Sequence, residues 1–152
     1  MEKLSASFVI GLLIAITLAS PISAQFAPRG SITIVATDFR TNDGRLRCFL
    51  YDQPDAFPTH PDRAYAGALG RLSGGRASCT FQDVPPGRYA IALHHDQNMD
   101  GRVDTGIFGI PTEGLGASND AHGSMGPPSF EAAAFEYTGS AVTMSAHIGY
   151  VF

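Results

Sequence analysis

The chain has 152 residues, of which 44% are hydrophobic and 16% charged, with a net charge of −4, 17 glycines, 10 prolines, two cysteines and no tryptophan. That is one domain's worth of sequence, and an acidic chain without a basic run lacks the electrostatic footprint of a nucleic-acid binder, which excludes nucleic acid as a partner. The glycine and proline surplus points to many turns rather than long helices.

Residues 8–19 form a nearly unbroken apolar block preceded by Lys3 and the amino terminus. A run of about 12 residues is too short to cross a hydrocarbon core of roughly 30 Å as a helix. Pro21, Ser23 and Ala24 then give the small-residue exit of a cleavage site. The expectation is a secretory signal peptide over residues 1–24, cut after Ala24. The mature chain keeps nine arginines, no lysine and thirteen acidic residues, and it has no second apolar stretch for stable membrane insertion. An exported protein, periplasmic or secreted, is therefore expected. Residues 25–30 read as a short linker and residues 31–152 as a single domain.

Residues 31–37, rich in β-branched side chains, predict a first strand with Ile32 and Ile34 on one face. Thr41, Asn42, Asp43 and Gly44 signal a turn, after which residues 45–51 alternate, with Leu46, Cys48 and Leu50 on one face and Arg45, Arg47, Phe49 and Tyr51 on the other. The two strands are expected to pair as a hairpin. Pro54, Pro58 and Pro61 break the pattern over residues 52–75, where no element is assigned. Residues 76–81 predict a third strand, and Pro85, Pro86 and Gly87 turn it into a fourth over residues 88–95. There Tyr89, Ile91, Leu93 and His95 share a face, with Ala90, Ala92 and His94 opposite. Residues 96–128, rich in Gly, Asp, Asn and Pro, read as one long loop system. A helical turn at residues 129–133, a short strand at 135–137 and a long final strand at 141–152 complete the pattern. In the last, His147 points away from the apolar even-numbered face. Short alternating strands joined by Gly and Pro turns predict an all-β sandwich of about seven antiparallel strands.

Cys48 and Cys79 fall on the inward faces of their strands, and in an oxidising compartment two such thiols are expected to form a disulfide. Two separate buried thiols are the alternative. A redox pair would be closer in sequence than these, which lie 31 positions apart. The most informative local motif runs from Asp96 to Asp104. Its first six residues satisfy D-x-[DN]-x-[DN]-G, the opening of a calcium loop in which alternate side chains offer oxygens and glycine permits a sharp turn. Asp96, Asn98 and Asp100 take the first three ligand positions, Arg102 offers its backbone carbonyl, and Asp104 follows. Ile107 stands where an EF-hand has its bidentate glutamate, and no helices flank the loop, which argues against an EF-hand. Glu113 or Glu136 would have to supply a late ligand through tertiary contact. A metal-free turn, in which these side chains bond to their own backbone, is the competing reading. A calcium site short of one carboxylate would be weak, with Kd on the order of 10⁻⁴ to 10⁻³ M.

Adjacent strand histidines point to opposite faces, so His94 and His95 cannot chelate one ion together. His95 is expected to close the core end of its strand and His94 to be exposed. Copper or zinc would need help from His60, His122, Met99 or Met125, none at ligand spacing. No nucleophile elbow, zinc-protease motif, phosphate loop or dinucleotide fingerprint is present. Ser118, Asp120 and His122 cluster within five positions on a glycine-rich segment, a poor way to hold a catalytic triad.

The strand-turn at residues 84–91 (V-P-P-G-R-Y-A-I), the D-Q-N-M-D-G-R-V-D loop, the F-G-I-P-T-E-G-L-G-A-S-N segment at residues 108–119 and the G-P-P-S-F turn at 126–130 together resemble the bacterial family called domain of unknown function 2141. The resemblance covers nearly the whole mature chain. Gln97 departs from the family's usual glutamate, and Ala117 from a common aromatic. The resemblance implies an exported protein of Gram-negative bacteria with an immunoglobulin-like or transthyretin-like sandwich; it does not supply a biochemical activity. The P-P-G-x-Y turn is also similar to that of carboxypeptidase regulatory-like domains, which makes Tyr89 the candidate to tie a loop at the sandwich corner. D-x-N-x-D-G-x-x-D loops occur in calcium-binding β-sandwich repeats of bacterial surface proteins, an analogy alone. The resulting expectation is a non-catalytic envelope module. Its loop system at residues 96–118, which calcium would organise, contacts an envelope protein or a glycan. A periplasmic copper- or zinc-handling protein and a hydrolase are the alternatives. Ile107, Phe108, Ile110 and Leu115 are expected to pack the loop down, and Gly106, Gly109, Gly114 and Gly116 to turn it.

Overall fold

Alternation puts Ile32, Ile34 and Ala36 on one side of the first strand, β1 (Gly30–Thr37), and all three are fully buried. The computed structural model describes residues 27–151, so the expected signal peptide at residues 1–24 lies outside the described residues. The remaining strands are β2 (Arg45–Tyr51), β3 (Ala66–Gly70), β4 (Ala77–Val84), β5 (Gly87–Asp96), β6 (Gly114–Ala117), β7 (Phe135–Tyr137) and β8 (Val142–His147), with one short helix, α1 (Phe130–Ala133). They make two sheets. The smaller runs β4-β1-β8, and the larger runs β3-β2-β5-β6, with β7 pairing onto the start of β5. The chain is thus an all-β sandwich.

Four sequence-based expectations change. First, β1 and β2 are not a hairpin. The turn after β1 carries the chain from one sheet to the other, and β2 pairs with β3 and β5 instead. Both strands bury an apolar face, and facing each other across the core buries more than pairing edge to edge. Second, β8 runs parallel to β1, from Ile32 opposite Val142 to Thr37 opposite His147, so the sandwich is not wholly antiparallel. Third, β6 lies inside what reads as a loop, and β3 fills part of the unassigned segment. Fourth, the final strand stops at His147, although Ile148 remains buried.

Between the sheets, Ile32, Ile34, Leu46, Leu50, Ile91 and Leu93 meet in one core, and Tyr89 seals one end. The Tyr89 hydroxyl donates to the Pro85 carbonyl at 3.1 Å, so the expected corner tie is in place. A second, smaller cluster sits on the outer face of the larger sheet, where Tyr51, Ala90 and Ala117 are covered by Phe57 and by Phe130 and Ala133 of α1. Ser129 starts that helix by accepting from the Ala132 N–H. The covering stops partway along the sheet, a boundary that matters for the site below.

Cys48 of β2 and Cys79 of β4 form a disulfide across the core, with Cα atoms 6.3 Å apart. The bond joins β4, at the edge of the smaller sheet, to β2 of the larger one. Replacing both residues in a Cys48→Ala/Cys79→Ala variant is expected to lower the unfolding free energy by roughly 3 to 4 kcal/mol, the loop-closure entropy of a cross-link closing about 30 residues. Urea unfolding of the oxidised protein against the variant measures this. A difference under about 1 kcal/mol would show that the covalent link adds little to the packed core.

Candidate functional site

The acidic loop begins at the last residue of β5. Asp96 is fully buried. Its Oδ2 accepts from Arg45 Nε at 3.0 Å and from the Gly101 N–H at 3.2 Å, while its Oδ1 is buried with no hydrogen-bond partner among the described residues. Arg45 also donates to the Met99 carbonyl at 3.0 Å, and Arg47 donates to the Gly101 carbonyl. Two arginines of β2 therefore hold the loop from below. Gly44, at φ +74°, lets the chain pass so close that a Cβ there would collide with the Asp96 carbonyl.

The other motif side chains turn to donors within the loop. Asn98 accepts from the Asp100 N–H at 3.1 Å and donates to Asp104 Oδ2 at 2.8 Å, and Asp100 accepts from the Arg102 N–H at 2.8 Å. These are the self-capping turns of the metal-free alternative. Among the described residues, no three His, Cys, Asp or Glu side chains gather into a group able to hold a metal ion. The carboxyl of Asp104 is nevertheless pushed above its ordinary value, by desolvation first and then by the charges of Asp100, Glu113 and Asp96.

Glu113 closes the loop from the far side. Its Oε1 accepts from the Gln97 N–H at 2.8 Å, and its Oε2 accepts from the Asp104 N–H at 3.1 Å and from His94 Nε2 at 2.6 Å. His94 is consequently buried, at 4% exposure, where the alternation suggested an exposed ring. The reason is tertiary: β6 pairs with β5 and brings Glu113 to rest against the histidine. No local signal for this exists, because Gly114 and Gly116 do not look like strand residues. They are required because a Cβ at either would run into the segment at His147, Ile148 and Tyr150.

Strand register arranges the outer face of the larger sheet in rows: Tyr51 beside Ala90, Phe49 beside Ala92 and Ala117, and Arg47 beside His94 and Leu115. The first rows lie under the α1 cover. Beyond it opens a groove of about 1160 Å³, floored by Phe49, His94 and Leu115 and walled by Arg102, Phe108 and Met125. Phe108 and Ile107 are not packed down as the sequence suggested. Phe108 is 95% exposed and held at φ +62°, and Met125 is fully exposed. A bulky side chain with positive φ is uncommon and concentrates at functional sites.

Ser118, Asp120 and His95 are each engaged by neighbouring groups. Ser118 is fully buried, accepts from the Ile91 N–H at 2.9 Å and donates to the Ala133 carbonyl at 2.6 Å. Asp120 pairs with His147 rather than His122, accepting from its N–H at 2.8 Å and meeting its ring Nδ1 at 2.9 Å. Burial works against that carboxylate, but the two His147 contacts outweigh it and keep its pKa below the ordinary value. His95 occupies the core end of β5, as expected. A carbonyl can only accept, so Nε2 donates to Asp43 O at 2.8 Å and leaves Nδ1 to accept from the Tyr150 hydroxyl at 2.6 Å.

A family model described as an uncharacterized protein conserved in bacteria, DUF2141, matches residues 34–145. No curated protein and no solved structure matches the chain.

Removing Arg45 strands a buried carboxylate. Arg45→Met is expected to cost about 2 to 4 kcal/mol of stability, and adding Asp96→Asn to recover a large part of that loss. Denaturant unfolding of the two single variants and the double variant measures the coupling. Additive effects would show that the pair does not organise the loop.

Proposed function

Since the chain belongs to this uncharacterised bacterial family, we propose that it is an exported, non-catalytic module of the bacterial envelope that binds its ligand in the groove over β2, β5 and β6. The observation that carries this reading is the groove itself, with Phe108 held outward at its wall. An exposed aromatic at a strained backbone position is costly unless something covers it. The Cys48–Cys79 disulfide supports export, because such bonds persist in oxidising compartments. The commitment of Ser118 to backbone groups supports binding over hydrolysis. Likewise, the engagement of His94 by Glu113 and of His95 by Asp43 and Tyr150 supports it over copper or zinc handling.

An apolar fluorescent dye is expected to bind the protein saturably at one site, and Phe108→Ser with Met125→Ser to weaken it by at least about tenfold, as loss of two apolar side chains that the dye would cover implies. The melting temperature should not move, because both side chains are exposed. No saturable binding, or binding indifferent to the two substitutions, would overturn the reading.

A second reading concerns the acidic loop, for which we propose weak calcium binding at Asp96, Asn98, Asp100, Asp104 and the Arg102 carbonyl. The buried, unpartnered Asp96 Oδ1 and the crowding of charge at Asp104 favour it. Millimolar calcium is then expected to raise the melting temperature of the native protein and not of Asp100→Ala. No shift in either protein would leave the arginine clamp as the loop's organiser.

A further inference from the structure

We propose that the groove takes a single-chain anionic amphiphile, an aliphatic tail ending in a carboxylate, with Arg47 and Arg102 receiving the head group. This rests on the groove being the binding site. Acidic residues outnumber basic ones in this chain, yet the groove lining contains no Asp or Glu, and no Asn or Gln either. It does contain Arg47, Arg102 and His122, besides His94, whose ring is already engaged by Glu113. Exclusion of every carboxylate from one surface of an acidic protein is charge complementarity to an anion.

The two arginines are also the right ones. Arg45, Arg63 and Arg88 each form an ion pair with a carboxylate. Among the described residues Arg47 and Arg102 form none. Arg47 gives one of its five donors to the Gly101 carbonyl and lies over the Phe49 ring at 5.1 Å, which fixes the guanidinium beside the groove floor. A planar guanidinium matches a carboxylate in two parallel hydrogen bonds. Apart from the hydroxyls of Thr59, Ser124 and Tyr150, the rest of the lining is apolar, from Phe49, Leu115 and Ile110 to Phe108, Met125 and Val151. A glycan would look for the amide and carboxylate acceptors that this surface lacks, whereas a hydrocarbon tail needs only the apolar walls. Met125, unbranched and exposed, suits a flexible chain.

Displacement of the bound dye by dodecanoate, dodecanol and dodecyltrimethylammonium, each below its micelle concentration, separates the contributions. Dodecanoate is expected to compete about tenfold better than dodecanol and more strongly still than the cation, which is the worth of a charge-assisted hydrogen bond. Arg102→Met and Arg47→Met should each erase most of the carboxylate preference, read as the ratio of dodecanoate to dodecanol competition. Arg102 is exposed and its loss does not threaten folding, so that variant keeps the test valid if Arg47→Met unfolds. Equal competition by the three probes, or a preference surviving both substitutions, overturns the proposal while the dye site itself stands. Failure of the dye to bind at all overturns the groove reading instead. The ligand is taken as a free monomer, so vesicles of anionic phospholipid should not sediment the protein, and capture by them would count against it.

Discussion

Asp96 ends β5 with its carboxylate wholly out of solvent, and the loop beyond it is arranged around that charge. Taking a carboxylate out of water costs several kcal/mol unless a cation and hydrogen bonds replace the solvent. Arg45 supplies the charge from the neighbouring strand, and Gly101 bends back to give its N–H. Once Gly101 is fixed, its carbonyl faces Arg47, which is thereby placed beside the groove. The Gly44 turn has to be a glycine because the chain crossing between sheets passes against the same Asp96 backbone. One buried charge therefore sets the approach of β2, the path of the loop and the position of a candidate ligand-binding arginine.

Glu113 repeats the device from the opposite side. It satisfies two backbone N–H groups of the loop and the His94 ring, and all three donors lie in or next to the chain leaving β5. Between Asp96 and Glu113 the loop is pinned at both ends, which is how a long glycine-rich segment keeps a defined shape without an apolar core of its own. The pinning leaves Ile107 and Phe108 outside, since no interior remains for them to enter. The groove is the counterpart of that arrangement. Phe57 and α1 cover the Tyr51 end of the sheet, the loop stands at the Arg47 end, and the surface between them is open.

The strand faces were legible residue by residue. Leu46, Cys48 and Leu50 do face inward, Cys48 does meet Cys79, and Tyr89 does tie its corner. What escaped were features with no local pattern. β6 was hidden because Gly114 and Gly116 were selected for the close approach of the segment after β8, not for strand propensity. His94 looked exposed because alternation reports a sheet face and not what a distant segment lays over it. The β1–β2 hairpin failed for a related reason: a turn signal marks a change of direction and does not say which sheet the chain enters next.

Sequence by itself determined which side chains are apolar on which strand faces, that two thiols point into one core, and that an acidic glycine loop follows β5. These depend on the two-residue period of a strand and on local turn chemistry, which act over a few neighbours. Only the tertiary structure decided that Arg45 neutralises Asp96, that Glu113 reaches His94, and that Arg47 and Arg102 stand at the groove without carboxylate partners among the described residues. Those two pairings join residues 51 and 19 positions apart, and charge compensation and burial are settled by proximity in space, which no local pattern encodes.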